Sequence, residues 1–183
     1  MPKINKGKNI LEITYPFGKR TAVEWCYILG DFGVEVLGRN AKITERTNEL
    51  AFDSIVHQTL PFYSGEITYH LDIKSNGGDL NLRVPKYRGG LVTASLDGSE
   101  AQTIAFEPYR IFFDNVNSGK HRLDLTLYVT RVNTCGPVHL ANEKLIWLGP
   151  ASYRTAGDQW SYEYNLVRQG ILSTPILNEI TNE

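Results

Sequence analysis

The chain has 183 residues, 42% apolar and 21% charged, an ordinary profile for one globular domain or one domain with pieces attached. At that length it can bury roughly 70% of its unfolded surface, so it needs no disulfide or metal staple. Its net charge of −1, with both signs interspersed and no basic run, argues against nucleic acid as the main partner. Neither a positive segment leading an apolar stretch nor an apolar run of about eighteen residues is present, so no signal peptide or membrane span is expected and the compartment stays open.

The aromatic content, ten Tyr, seven Phe and three Trp against one Met, is richer than the rest of the composition. Such residues suit sheets, and exposed rings suit flat apolar ligands such as sugars. Cys26 and Cys135 sit between apolar or small neighbours and read as two buried free thiols in preference to a disulfide, which leaves the compartment undecided.

In chain order, the segment from Gly7 to Thr14 (GKNILEIT) echoes Gly119 to Thr126 (GKHRLDLT) at Gly, Lys, Leu and Thr, with Glu/Asp and Ile/Leu exchanged. In both, a Gly-Lys turn feeds an alternating strand, and a spacing of just over a hundred residues suits one sandwich domain. Residues 1–45 are therefore expected to be terminal strands, the remnant of an upstream sandwich, and residues 46–183 the main one. Thr21 to Leu29 is almost continuously apolar around Trp25 and predicts a buried strand, followed by a turn at 30–33 and a strand at 34–36. A short helix is expected between Glu45 and Gln58, with Leu50, Phe52, Ile55 and Val56 on one face.

From Pro61 onward a period of two dominates. It places Ile67, Tyr69, Leu71 and Ile73 on one face of a strand, and repeats at Leu80, Leu82 and Val84 and at Leu123, Leu125, Leu127 and Val129. Asn76-Gly77-Gly78-Asp79 predicts a hairpin turn between the first two of these strands. Leu91–Leu96 is the next strand, closed by Asp97-Gly98-Ser99, with shorter pieces at 104–106 and 111–113 and a turn at 115–119. Tyr162 to Val167, after a polar loop that ends at Trp160, reads as a further strand, Trp25 and Trp147 as core residues, and residues 178–183 as a frayed end. The fold class this implies is all-β, an antiparallel β-sandwich.

Several segments resemble the galactose-binding-like jelly-roll modules of bacterial glycoside hydrolases, notably family 2 and rhamnosidase-like enzymes. Pro61-Phe62-Tyr63-Ser64-Gly65 with Ile67, Tyr69 and Leu71 is similar to the opening strand of such a module. Leu91 to Gly98 (LVTASLDG) resembles its "V-x-V-D-G" strand and turn, and Ile104 to Tyr109 (IAFEPY) the segment before the last hairpin. Ser118 to Leu125 (SGKHRLDL) resembles the "G-x-H-x-L-x-I" closing strand, and Arg131-Val132-Asn133-Thr134 follows where the family has "N-R-x-N". The resemblance covers about residues 61–140. It implies a jelly roll that is a C-terminal piece, or a stand-alone relative, of a larger hydrolase, with carbohydrate and a catalytic domain as partners. It transfers no ligand site, because loop residues that bind sugar vary between such modules.

For chemistry, a glycosidase needs two carboxyl groups about 5 Å or roughly 6.5–9.5 Å apart. Glu66, Asp72, Glu100, Glu107 and Asp114 are available, but Glu66 and Asp72 fall on the solvated phase of one strand. His57, His70, His121 and His139 are widely spaced and form no His-x-His pair, so no metal or other cofactor is expected. A lyase using Tyr and Arg near strand ends is a further reading. Sugar binding has the better physical case, since it needs an aromatic platform and planar multidentate donors. Tyr87 and Arg88 lie in a Gly-flanked loop, Tyr109 and Arg110 in another, and Tyr63 and Trp160 are further candidate platforms. Against this, the weightier reading of each tyrosine is a cap on the sandwich core, and of Trp160 a residue at the core's edge. The expected function is a non-catalytic carbohydrate-binding or accessory module of a glycoside hydrolase, the alternatives being a purely structural module without ligand or a small lyase or hydrolase.

Overall fold

The structure is a computed structural model that describes residues 5–21, 26–142, 148, 149 and 152–180. By its internal contacts the chain comprises two units, Met1–Gly30 and Asp31–Glu183.

In the first unit the described residues form neither strand nor helix, and Ile10, Leu11, Ile13, Phe17, Ile28 and Leu29 are exposed. The echo between Gly7–Thr14 and Gly119–Thr126 therefore does not extend to structure. A two-residue period becomes a strand only where neighbouring chain takes up its backbone groups, and the second copy alone has neighbours. The strand expected over Thr21–Leu29 is likewise absent at Cys26–Leu29, while Trp25 lies outside the described residues. Cys26 and Cys135 are exposed rather than buried.

The second unit is an antiparallel β-sandwich. Its first layer is built from β3 (Gly65–Ser75), β9 (Gly119–Val129), β6 (Leu91–Leu96) and β7 (Gln102–Ile104), hydrogen-bonded in that order. β3 and β9 pair along their whole length, from Gly65 opposite Val129 to Ser75 opposite Gly119. The second layer is β11 (Ile176–Ile180), β4 (Gly78–Arg83) and β8 (Arg110–Val116). Two small ribbons complete the unit: β1 (Gly33–Leu37) with β2 (Asn40–Thr44), and β5 (Tyr87–Arg88) with β10 (Gly170–Ile171).

The inner faces are the ones the alternation assigns. Ile67 and Tyr69 of β3, Leu123, Leu125, Leu127 and Val129 of β9, Leu80 and Leu82 of β4, and Ile111 and Phe113 of β8 form a single buried cluster. Leu125 and Leu127 are 0% exposed. A Leu buried that fully contributes roughly 1.5–3 kcal/mol relative to an exposed one. The outer face of the first layer is polar and cross-linked, with Thr68 Oγ1 2.9 Å from Thr126 Oγ1 and His70 Nδ1 2.7 Å from Asp124 Oδ1.

Four local expectations change. The turn at 76–79 is no hairpin, because β3 and β4 lie in different layers; the chain crosses the sandwich there, and again at 117–118 between β8 and β9. Gly77 and Gly78, at φ 103° and 107°, take backbone conformations that suit only glycine. Between Glu45 and Gln58 the only helical piece is a 3-10 turn at Ile55–His57. Gln58 folds this segment back instead, its Oε1 accepting the Ala51 amide at 2.7 Å and its Nε2 donating to the Ala51 carbonyl at 3.2 Å. The strand expected at Tyr162–Val167 does not form, and the nearest ladder contact is an isolated bridge between Trp160 and Leu140. Residues 178–180 are paired in β11 rather than frayed, and Trp147 and residues 181–183 lie outside the described residues.

Candidate functional site

The irregular segments 130–142 and 160–169 run beside each other without a regular ladder. Side-chain amides take the ladder's place. Asn133 donates Nδ2–H to the Val167 carbonyl at 2.8 Å and accepts the Val167 amide on Oδ1 at 2.9 Å. Asn165 donates Nδ2–H to the Leu140 carbonyl at 2.7 Å, and its own amide reaches the Val138 carbonyl at 2.7 Å. Gln169, buried, accepts the Thr130 hydroxyl at 2.6 Å and amide at 2.9 Å. Buried polar groups are tolerated only when paired in this way.

These two segments enclose a cleft of about 450 Å³, within the size range of small-ligand sites. Val138, Leu140 and Leu166 give it apolar walls, and Arg88, Arg168, Asn142 and Asn165 its polar ones. Arg88 reaches it from β5, where it lies opposite Gly170 of β10. Two glycines fix that approach. A Cβ on Gly89 would come within 2.7 Å of Leu127 Cδ1 and 2.8 Å of the Tyr128 carbonyl, and Gly170, at φ 141°, abuts the Asp53 backbone. Arg168 is held in place by Asp53, Nη2 to Oδ1 at 2.8 Å. The Ser54 amide and then Arg168 keep the Asp53 carboxyl below the usual carboxylate range. The ion pairs among the described residues do not include Arg88.

The other candidate residues do not converge on this cleft. Tyr87 and Tyr109 come together edge to face, their ring centroids 5.6 Å apart, and both pack against the buried cluster. The Tyr87 hydroxyl donates to the Ile104 carbonyl at 2.9 Å, and burial, with Tyr109 nearby, raises its pKa. Tyr109 is anchored through its backbone, its amide donating to the Phe106 carbonyl and its carbonyl accepting the Val84 amide. Tyr63 packs on the same cluster and donates its hydroxyl to the Glu66 carbonyl at 2.8 Å. Arg110 lies on the outer face of β8, 5.5 Å over the Phe112 ring. Trp160 is half-buried in a run of rings: 4.3 Å from Tyr162 and 5.8 Å from His139, which lies in turn tilted at 40° against Tyr164, 4.5 Å away.

A second, more open hollow of about 670 Å³ lies between the β6–β7 turn and β8. Its acidic side chains are Asp97, Glu100 and Asp114, beside His121. His121 is committed, Nδ1 to Asp97 Oδ2 at 2.6 Å and Nε2 to the Asn117 carbonyl at 2.8 Å. The Asp97 bond raises the His121 pKa, and His121 with the Arg122 amide lowers that of Asp97. The carboxyl groups with shifted titration, Asp53, Asp97, Asp124 and Glu179, all shift downward. That is the opposite of what a general acid near neutral pH requires. Among the described residues no cluster of three His, Cys, Asp or Glu is placed to hold a metal ion.

Sequence reasoning passed over Asn133, Asn165, Arg168 and Gln169. Only Asn133 carried a signal, inside Arg131-Val132-Asn133-Thr134, and its role as a strand surrogate is invisible without its partner 34 residues on. Comparison with protein-family models, with curated proteins and with solved structures finds no match for this chain.

Proposed function

We propose that this chain is a non-catalytic carbohydrate-binding β-sandwich module, accessory to a glycoside hydrolase, and that its sugar enters the cleft beside Arg88. The observation that carries this reading is the cleft itself, with two guanidinium groups and amide side chains set against Val138, Leu140 and Leu166. Sugar rings offer the matching mix of hydroxyls and apolar C–H faces. The resemblance of residues 61–140 to galactose-binding-like modules supports the same reading, and the repeated passage of the chain between the two layers suits a jelly roll. A glycan-array screen of the chain tests it. Saturable binding that weakens in Arg88→Ala is expected, and silence across plant and host glycans contradicts it.

A second reading is a structural module without ligand, favoured by the exposed Ile10, Leu11, Ile13, Phe17, Ile28 and Leu29. Apolar surface of that extent commonly marks a contact with another domain or a second copy. Sedimentation over a range of concentrations separates the two. Self-association that is lost in Leu11→Ser/Phe17→Ser, without glycan binding, favours the second.

A further inference from the structure

The polar side chains of the cleft are unequal in what they still have to offer. Asn133 spends its carbonyl and one amide hydrogen on Val167, and Asn165 spends one amide hydrogen on Leu140. Arg168 gives one nitrogen to Asp53. Arg88 gives none of its guanidinium to any ion pair among the described residues. A guanidinium carries five N–H donors and no acceptor. No carboxylate lines the cleft among the described residues, and Asp53 offsets only one of the two arginines. Among the described residues the lining is therefore rich in donors, poorer in side-chain acceptors and one positive charge in excess.

A neutral sugar hydroxyl both donates and accepts, so such a lining uses half of its capacity. An anionic group accepts only, and a planar guanidinium meets a carboxylate or sulfate oxygen pair through two parallel hydrogen bonds. We infer that the cleft selects acidic sugars, with Arg88 gripping the anionic group, a uronate carboxylate or a sulfate ester, and Arg168, oriented by Asp53, closing the other side. This inference rests on the carbohydrate-binding reading and narrows it to a ligand class. Arg88 sits at the cleft through the close approach of Gly89 to Leu127 and the pairing of its backbone with Gly170, so its side chain is free to serve the ligand rather than the fold.

Calorimetric titration of the full chain with four matched probes tests the proposal: oligogalacturonate, the same oligomer with its carboxyl groups reduced to alcohols, a sulfated galactan oligomer and its desulfated form. Binding to at least one acidic probe should be about tenfold or more tighter than to its neutral counterpart, the difference one charge-assisted hydrogen bond makes. Whether the carboxylate or the sulfate pair shows it identifies the source of the anion. Arg88→Gln should abolish that preference, and Arg88→Lys should restore part of it by keeping the charge without the fork. Thermal melts of both variants should match the parent, because Arg88 is exposed. Equal affinity for acidic and neutral partners, or an unchanged preference in Arg88→Gln, overturns the inference while leaving carbohydrate binding intact. No binding to any of the four probes or to a broad glycan panel overturns both.

Discussion

Asn133 and Val167 are joined as two strand neighbours are, except that one partner is a side chain. The Asn133 amide group both donates to and accepts from the Val167 backbone, at 2.8 and 2.9 Å, from a position only 2% exposed. The arrangement lets two irregular segments lie side by side without closing into a flat ribbon, and the cleft occupies the space between them.

Asn133→Ala should therefore destabilise the fold by roughly 2–3 kcal/mol, since it leaves the Val167 N–H and C=O without partners. Chemical denaturation measures this. Asn133→Leu should cost about as much, because filling the volume does not satisfy the backbone groups.

Tyr87 serves the sandwich rather than the cleft. Removing its hydroxyl in Tyr87→Phe loses the bond to the Ile104 carbonyl and should cost about 1 kcal/mol, with glycan affinity unchanged. Urea melts of the variant alongside its glycan titration check both halves of the statement.

The Asp97–His121 pair makes stability depend on pH in a defined direction. The raised pKa of His121 means that its contribution is full below about pH 6.5 and is lost as pH climbs through the higher folded value. The lowered pKa of Asp97 means that its contribution is full above about pH 3.9 and is lost as pH falls through the lower folded value. The pair thus works best between those limits. The melting temperature of His121→Gln should fall further below that of the parent at pH 5.5 than at pH 8.5, which a thermal scan at the two pH values reads directly.

How far the sequence carries depends on where each contact is made. Ile67, Tyr69, Leu123 and Leu125 were legible because alternation depends only on the strand's own pleat. The turn at Gly77-Gly78 was legible as a turn, but not as a passage between layers, because the same glycines serve a hairpin or a crossing. The helix expected between Glu45 and Gln58 failed for a related reason: the Gln58 side chain bonds back to the Ala51 backbone seven residues earlier, a closure that helix propensity does not contain. Of the candidate binding residues, Arg88 reaches the cleft, whereas Tyr87 and Tyr109 find each other and the core. Asn165 and Arg168 enter the site through partners distant in the chain, and no local pattern announces that.

The most direct measurement is an amide-resolved NMR titration of the chain with oligosaccharides from the glycan panel. Shift changes should concentrate at Arg88 and Gly89, at 138–142 and at 165–168, with the β8 outer face and the hollow near Glu100 and Asp114 unmoved. Shifts confined to Phe112 and the second hollow, or spectra indifferent to every sugar, would contradict a carbohydrate site at this cleft.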